Sequence, residues 1–108
     1  MVPAPIMAAL GEFKRRLAAR FGDRVERVTL FGSSARGEQH EDSDVDVLVV
    51  IARVTGLEQR EVAAMGAALL TERGIDIMPA GFSSEAWADV QRRELLIADE
   101  VAREGVAV

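Results

Sequence analysis

A chain of 108 residues, 49% of them hydrophobic, can build one modest core, so a single domain over 1–108 is expected, with residues 1–5 flexible. Its 13 Lys and Arg against 18 Asp and Glu leave a formal net charge of -5, which argues against a nucleic-acid surface because a polyanion normally needs a basic face. Without cysteine there is no disulfide framework and no thiolate zinc site, which fits a cytoplasmic location; neither a signal peptide nor a membrane span is expected.

Ile6, Leu10, Phe13, Leu17 and Phe21 recur at helical spacing and predict an amphipathic helix that Gly22 ends. Glu12 and Arg16 are spaced for a weak ion pair, and Lys14 with Arg15 read as a solvated face. Val25 to Phe31 predicts the first strand, and the Gly32-Ser33 turn after it is expected to open a short helix. Asp44 to Ile51 reads as the second strand. Thr55-Gly56-Leu57-Glu58 is a capping box for a helix running to about Arg73, with Val62, Met65 and Leu69 inward and Gly74 as its stop. A third strand carries Asp76 and is expected to end at Pro79. Ser83 or Ser84 then caps a final helical region with Trp87, Val90, Ile97 and Val101, broken near Arg93 where Leu95 and Leu96 fall out of phase. Alternating strands and helices predict an α/β fold: a small mixed β-sheet with helices packed mainly on one face.

The chemistry gathers in Gly32-Ser33, a ten-residue spacer and Asp44-Val45-Asp46. Glycine lets backbone approach an anion closely, and the amides opening a helix, with the Ser33 hydroxyl, suit phosphate. Because side chains alternate along a strand, Asp44 and Asp46 share one face while Val45, Val47, Val49 and Ile51 take the other. Two carboxylates side by side repel, and a divalent cation is their natural partner. Magnesium suits, being held by one or two carboxylates plus substrate phosphates. Asp76, flanked by Ile75 and Ile77, could complete such a site or be an edge-strand charge facing water. If it converges, the second and third strands must be neighbours, with the metal on the face that helices leave open. Three carboxylates could hold two ions, one activating the attacking oxygen and one neutralising the departing pyrophosphate.

These residues carry a resemblance. Gly32-Ser33-Ser34-Ala35-Arg36-Gly37 through Ser43-Asp44-Val45-Asp46, with Asp76 on a separate strand, resembles the DNA polymerase beta nucleotidyltransferase superfamily, and within it the minimal nucleotidyltransferases (MNT). The resemblance runs from about Val25 to Met78, with a weaker echo in Arg103-Glu104-Gly105-Val106. It implies transfer of AMP from ATP with release of pyrophosphate: Gly32 and Ser33 hold the triphosphate, Asp44 and Asp46 bind magnesium, and Asp76 completes the catalytic metal site and helps deprotonate the acceptor. It also implies an antitoxin role beside a helical HEPN ribonuclease toxin, silenced by AMPylation of a tyrosine. This chain contains no tyrosine, so a tyrosine target would lie on another molecule, in a hetero-oligomer or a passing encounter.

Other residues keep two readings. Arg36 could bind triphosphate or acceptor, or pair with Glu38, Glu41 or Asp42. Ser43 could touch nucleotide or shape the turn into the strand. His40, the sole histidine, reads as exposed, and Trp87 as core or as a partner's anchor; Met7, Met65 and Met78 read as core fillers. Two other functions compete with the transferase: a non-catalytic module that neutralises a toxin by stoichiometric contact, and a small-molecule (antibiotic) nucleotidyltransferase. The latter is disfavoured because no second domain grips the small molecule.

Overall fold

The computed structural model describes residues 2–37 and 44–108. The first apolar stripe forms α1 (Ala4–Phe21), which buries Ile6, Leu10, Phe13, Leu17 and Phe21. Ala4 and Pro5, expected in a flexible start, are its first turn, where a proline costs no intrahelical hydrogen bond. Gly22 caps it at φ 57°, and a single 3-10 turn leads into β1 (Val25–Phe31). Glu12 pairs with Arg16 at 3.1 Å as expected, and with Arg15 at 2.5 Å, while Lys14 donates to the Val108 carbonyl at 2.5 Å.

β2 (Val45–Ile51) pairs antiparallel with β1, and α2 (Gly56–Arg73) carries the chain across to β3 (Ile77–Phe82), which lies parallel to β2. A parallel neighbour requires such a crossover. The capping box is present: Thr55 Oγ1 accepts from the Glu58 amide at 3.1 Å and Glu58 accepts from the Thr55 amide at 2.9 Å. Gly74 closes α2 in the left-handed conformation. Thr55→Ala is expected to cost about 1 kcal/mol in chemical denaturation, the usual loss for a removed N-cap.

Glu58 also receives both terminal nitrogens of Arg24, at 2.9 and 2.8 Å. Those hydrogen bonds first, and the Thr55 amide second, hold its carboxyl down at about 2, against an ordinary 4.5. A depressed carboxyl stabilises the fold above its ordinary value, and that stability is lost as pH falls toward the folded value. Thermal melts of Glu58→Gln should therefore decline less steeply than wild type between about pH 4.5 and about 2.

Pro79 does not end the third strand. β3 continues to Phe82 because it is an edge strand, where a residue without an N–H is tolerated. The final helical region divides as expected, into α3 (Ser84–Arg92), capped by Ser83, and α4 (Leu96–Glu104), with Glu94 at φ 52° in the joint. A fourth strand, β4 (Val106–Ala107), has no counterpart in the sequence reading; it pairs antiparallel with β1, giving the sheet order β3-β2-β1-β4.

The alternation of β2 sorts two cores. Val45, Val47, Val49 and Ile51 pack with α1 and α2 residues, including Phe13, Leu17, Val62 and Leu69. Leu48 and Val50 pack on the opposite face with Phe31, Trp87, Val90 and Val101. Both 18-residue helices therefore lie on one face and both 9-residue helices on the other. The second face, expected to be uncovered, is thus partly roofed by α3 and α4. Gly66 brings α2 close to β3: a Cβ there would meet the Ile77 carbonyl oxygen at 2.5 Å. Met65 packs at the core as expected, whereas Met7 and Met78 are substantially exposed. Met78 alternates with buried Ile77 and so faces the other side of the sheet edge.

Candidate functional site

Asp46 lies opposite Phe31 in the β1–β2 pairing, one residue before the Gly32 turn. Gly32 has φ 78°, and a Cβ at that position would sit 2.6 Å from Asp46 Oδ2. Two constraints therefore require glycine here: a backbone conformation that other residues avoid, and a carboxylate in the space a side chain would fill. Gly32 to Gly37 is a series of turns and not the short helix expected. The Arg36 amide donates to the Gly32 carbonyl at 3.3 Å and the Gly37 amide to the Ser34 carbonyl at 3.2 Å. Ser33 is half-buried, and Ser34 is buried with its hydroxyl lacking a hydrogen-bond partner among the described residues.

Asp44 and Asp76 stand just ahead of β2 and β3 and not within them. Their parallel ladder nevertheless starts there, because the Val45 amide donates to the Asp76 carbonyl at 2.8 Å. The ladder sets Asp44 and Asp76 beside each other at its end, where the charge of Asp44 bears on Asp76. Desolvation, then the hydrogen bond and charge of Asp44, raise the Asp76 carboxyl above its ordinary range. Asp46 is raised by burial first, then by the charges of Asp44 and Glu100. The three acids thus form a chain of neighbours, Asp46 to Asp44 to Asp76. Asp76 is part-exposed just ahead of the edge strand β3, beside Asp44.

Among the described residues no group of three or more His, Cys, Asp or Glu side chains forms a ready-made metal cage. The donor set still fits magnesium, which asks the protein for one or two carboxylates and takes its other ligands from water and phosphate oxygens. Asp44 and Asp76 at neighbouring strand ends, with Asp46 two residues beyond Asp44, offer such carboxylates, and their mutual repulsion is what a divalent cation relieves.

Sequence reasoning misses two acids of the site. Glu100 on α4 acts on Asp46, and one helical turn later Glu104 accepts from Arg36 Nη1 at 2.7 Å. Their i, i+4 spacing places both on one face of α4, but only docking of α4 brings that face to the site. Arg36 thus does make an ion pair, with a residue 68 positions away. Glu38, Glu41 and Asp42, the partners expected for it, lie outside the described residues, as do Ser43 and His40. Trp87 is buried, its ring 5.4 Å from that of Phe82 and capped by the Arg27 guanidinium at 5.8 Å, so it packs the second core and is not a surface anchor. No helix among the described residues is long and apolar enough to cross a membrane.

The nucleotidyltransferase domain family matches residues 10–97. Protein adenylyltransferase MntA of Thermococcus cleftensis is 44% identical over 52 residues, 48% of this chain and 50% of that protein. The matched segment spans about half the length of the curated relatives. A solved structure described as a candidate minimal nucleotidyltransferase superposes with a TM-score of 0.64 at 28% identity, covering 100% of this chain and 97% of its own. A toxin–antitoxin crystal structure with AMP-PNP has the same fold, with a TM-score of 0.60 at 19% identity over 88% of this chain and 68% of that one.

Proposed function

Because this chain belongs to the nucleotidyltransferase domain family, we propose that it is a magnesium-dependent enzyme transferring AMP from ATP to a partner protein, the antitoxin of a HEPN/MNT pair acting in the cytoplasm. The observation that carries this reading is the Asp46 carboxylate occupying the space beside Gly32, with Asp44 and Asp76 at the adjoining ends of the β2–β3 ladder. A turn suited to a triphosphate thereby lies against the carboxylates that handle its charge. The adenylyltransferase name of the relative and the toxin–antitoxin setting of the fold neighbour support the choice of AMP and of a protein acceptor.

In this reading the Gly32 backbone and Ser33 hydroxyl hold the triphosphate and align its α-phosphorus with an acceptor hydroxyl. A new oxygen–phosphorus bond forms as the bond to pyrophosphate breaks, and the acceptor's proton passes to Asp76. Asp44, Asp46 and Asp76 would hold magnesium, which when bound would neutralise charge developing on the phosphates. With no tyrosine in this chain, a tyrosine acceptor comes from the partner.

The test is intact mass spectrometry of the co-purified partner after incubation with ATP and magnesium chloride. A mass increase of one or more AMP units on the partner is the expected result. A partner neutralised while its mass stays unchanged would replace this reading with neutralisation by contact.

A further inference from the structure

We propose that Glu104 is a positioning residue for nucleotide binding, acting through Arg36. The inference rests on the transferase reading and adds to it a residue far from the sequence motif. Arg36 belongs to the run of turns that follows Gly32, where no helix fixes the backbone and both flanking glycines have positive φ, 78° at Gly32 and 75° at Gly37. An arginine on such a loop has many rotamers to lose before it can meet a phosphate. Its Nη1 is instead held by Glu104 at 2.7 Å, a charge-assisted hydrogen bond.

Glu104 is itself anchored from both sides. Three residues before it, Val101 is buried in the second core. Directly after it, Gly105 closes so tightly that a Cβ would meet the Val101 carbonyl oxygen at 2.5 Å and Thr29 Cγ2 at 2.8 Å. Then β4 pairs Val106 with Leu30 and Ala107 with Thr29. The strand that pins α4 is therefore the one whose end becomes the Gly32 turn, so Glu104 has a set relation to the loop it grips. A guanidinium carries five N–H donors in a planar fork, and the bond to Glu104 is made by one of its two terminal nitrogens. A part-exposed ion pair contributes little to stability, which separates its role in the site from a role in folding.

The experiment is calorimetric titration of the 108-residue chain with AMP-PNP and magnesium chloride, in wild type, Glu104→Gln, Arg36→Ala and the double variant, with thermal melts of each. Arg36→Ala is expected to weaken binding about tenfold and Glu104→Gln about fivefold, the scale of removing a charge-assisted hydrogen bond or leaving its donor unoriented. In the Arg36→Ala background, Glu104→Gln is expected to change nothing further, because it acts only through the missing guanidinium. Arg36→Lys, which keeps the charge and loses the fork, should bind as weakly as Glu104→Gln. Unchanged or tighter binding by Glu104→Gln would overturn the proposal, as would an equal effect of that change in both backgrounds. If Glu104→Gln fails to fold, the pair is structural and the proposal falls. Wild-type protein that does not bind AMP-PNP at all would remove the transferase reading itself, a result distinct from each of these.

Discussion

Replacing Asp44 and Asp46 together with Asn is expected to lower AMP transfer to the partner by on the order of a thousandfold or more while leaving the fold intact or slightly more stable. The activity loss follows from removing the negative charge that holds a divalent ion against the triphosphate. The stability gain follows from the sign of the Asp46 shift. A carboxyl raised in the folded state, here by burial and then by the Asp44 and Glu100 charges, binds protons more readily than in the unfolded chain. Its contribution therefore worsens as pH rises from the ordinary carboxylate value through the raised one, and at neutral pH the ionised group opposes folding. Asparagine keeps the shape and removes the charge. Radiolabel transfer from ATP and a paired thermal melt check both halves. A double variant that keeps its activity would mean these carboxylates are not part of the reaction, and a large drop in melting temperature would assign them to the core.

Gly32→Ala is expected to damage activity far more than its effect on stability alone accounts for. At φ 78° the backbone lies where an L-residue is strained, which costs roughly 1–2 kcal/mol. The added Cβ would also overlap Asp46 Oδ2, placed at 2.6 Å, so the carboxylate must swing away. Displacing a reacting-centre group by about 1 Å costs about a hundredfold in rate. Loss of activity should therefore exceed what the stability change explains, visible as a fall in kcat at a temperature where the variant is fully folded. Ordinary kcat in a folded Gly32→Ala protein would show that the turn tolerates a side chain and that Asp46 is not bound to its present place.

Much of the architecture is legible from spacing alone. The α1 stripe, the Thr55 capping box, Gly74 and the break between α3 and α4 all depend on neighbours within a few residues, and each is present. The parity of β2 is equally readable, because alternation along a strand is a property of the backbone: Val45, Val47, Val49 and Ile51 do face one core, and Leu48 and Val50 the other. Spacing puts Asp44 and Asp76 inside strands that in the structure begin one residue later, a displacement that leaves them side by side at the ends of the β2–β3 ladder. β4 is illegible because a two-residue strand has no periodicity to detect; its existence depends on the exposed edge of β1.

What the sequence by itself determined about this protein is its local chemistry: which side chains share a face, where a turn needs glycine, and that a Gly-Ser turn precedes a pair of acids. Only the tertiary structure decided that α3 and α4 roof the acid-bearing face, that the charge of Glu100 bears on Asp46, and that Glu104 reaches Arg36 across 68 positions. The physical reason is one of range. Backbone geometry dictates relations between residues a few positions apart, whereas the docking of α4 is chosen by burial of Val101 and pairing of β4, interactions that no spacing within the helix encodes.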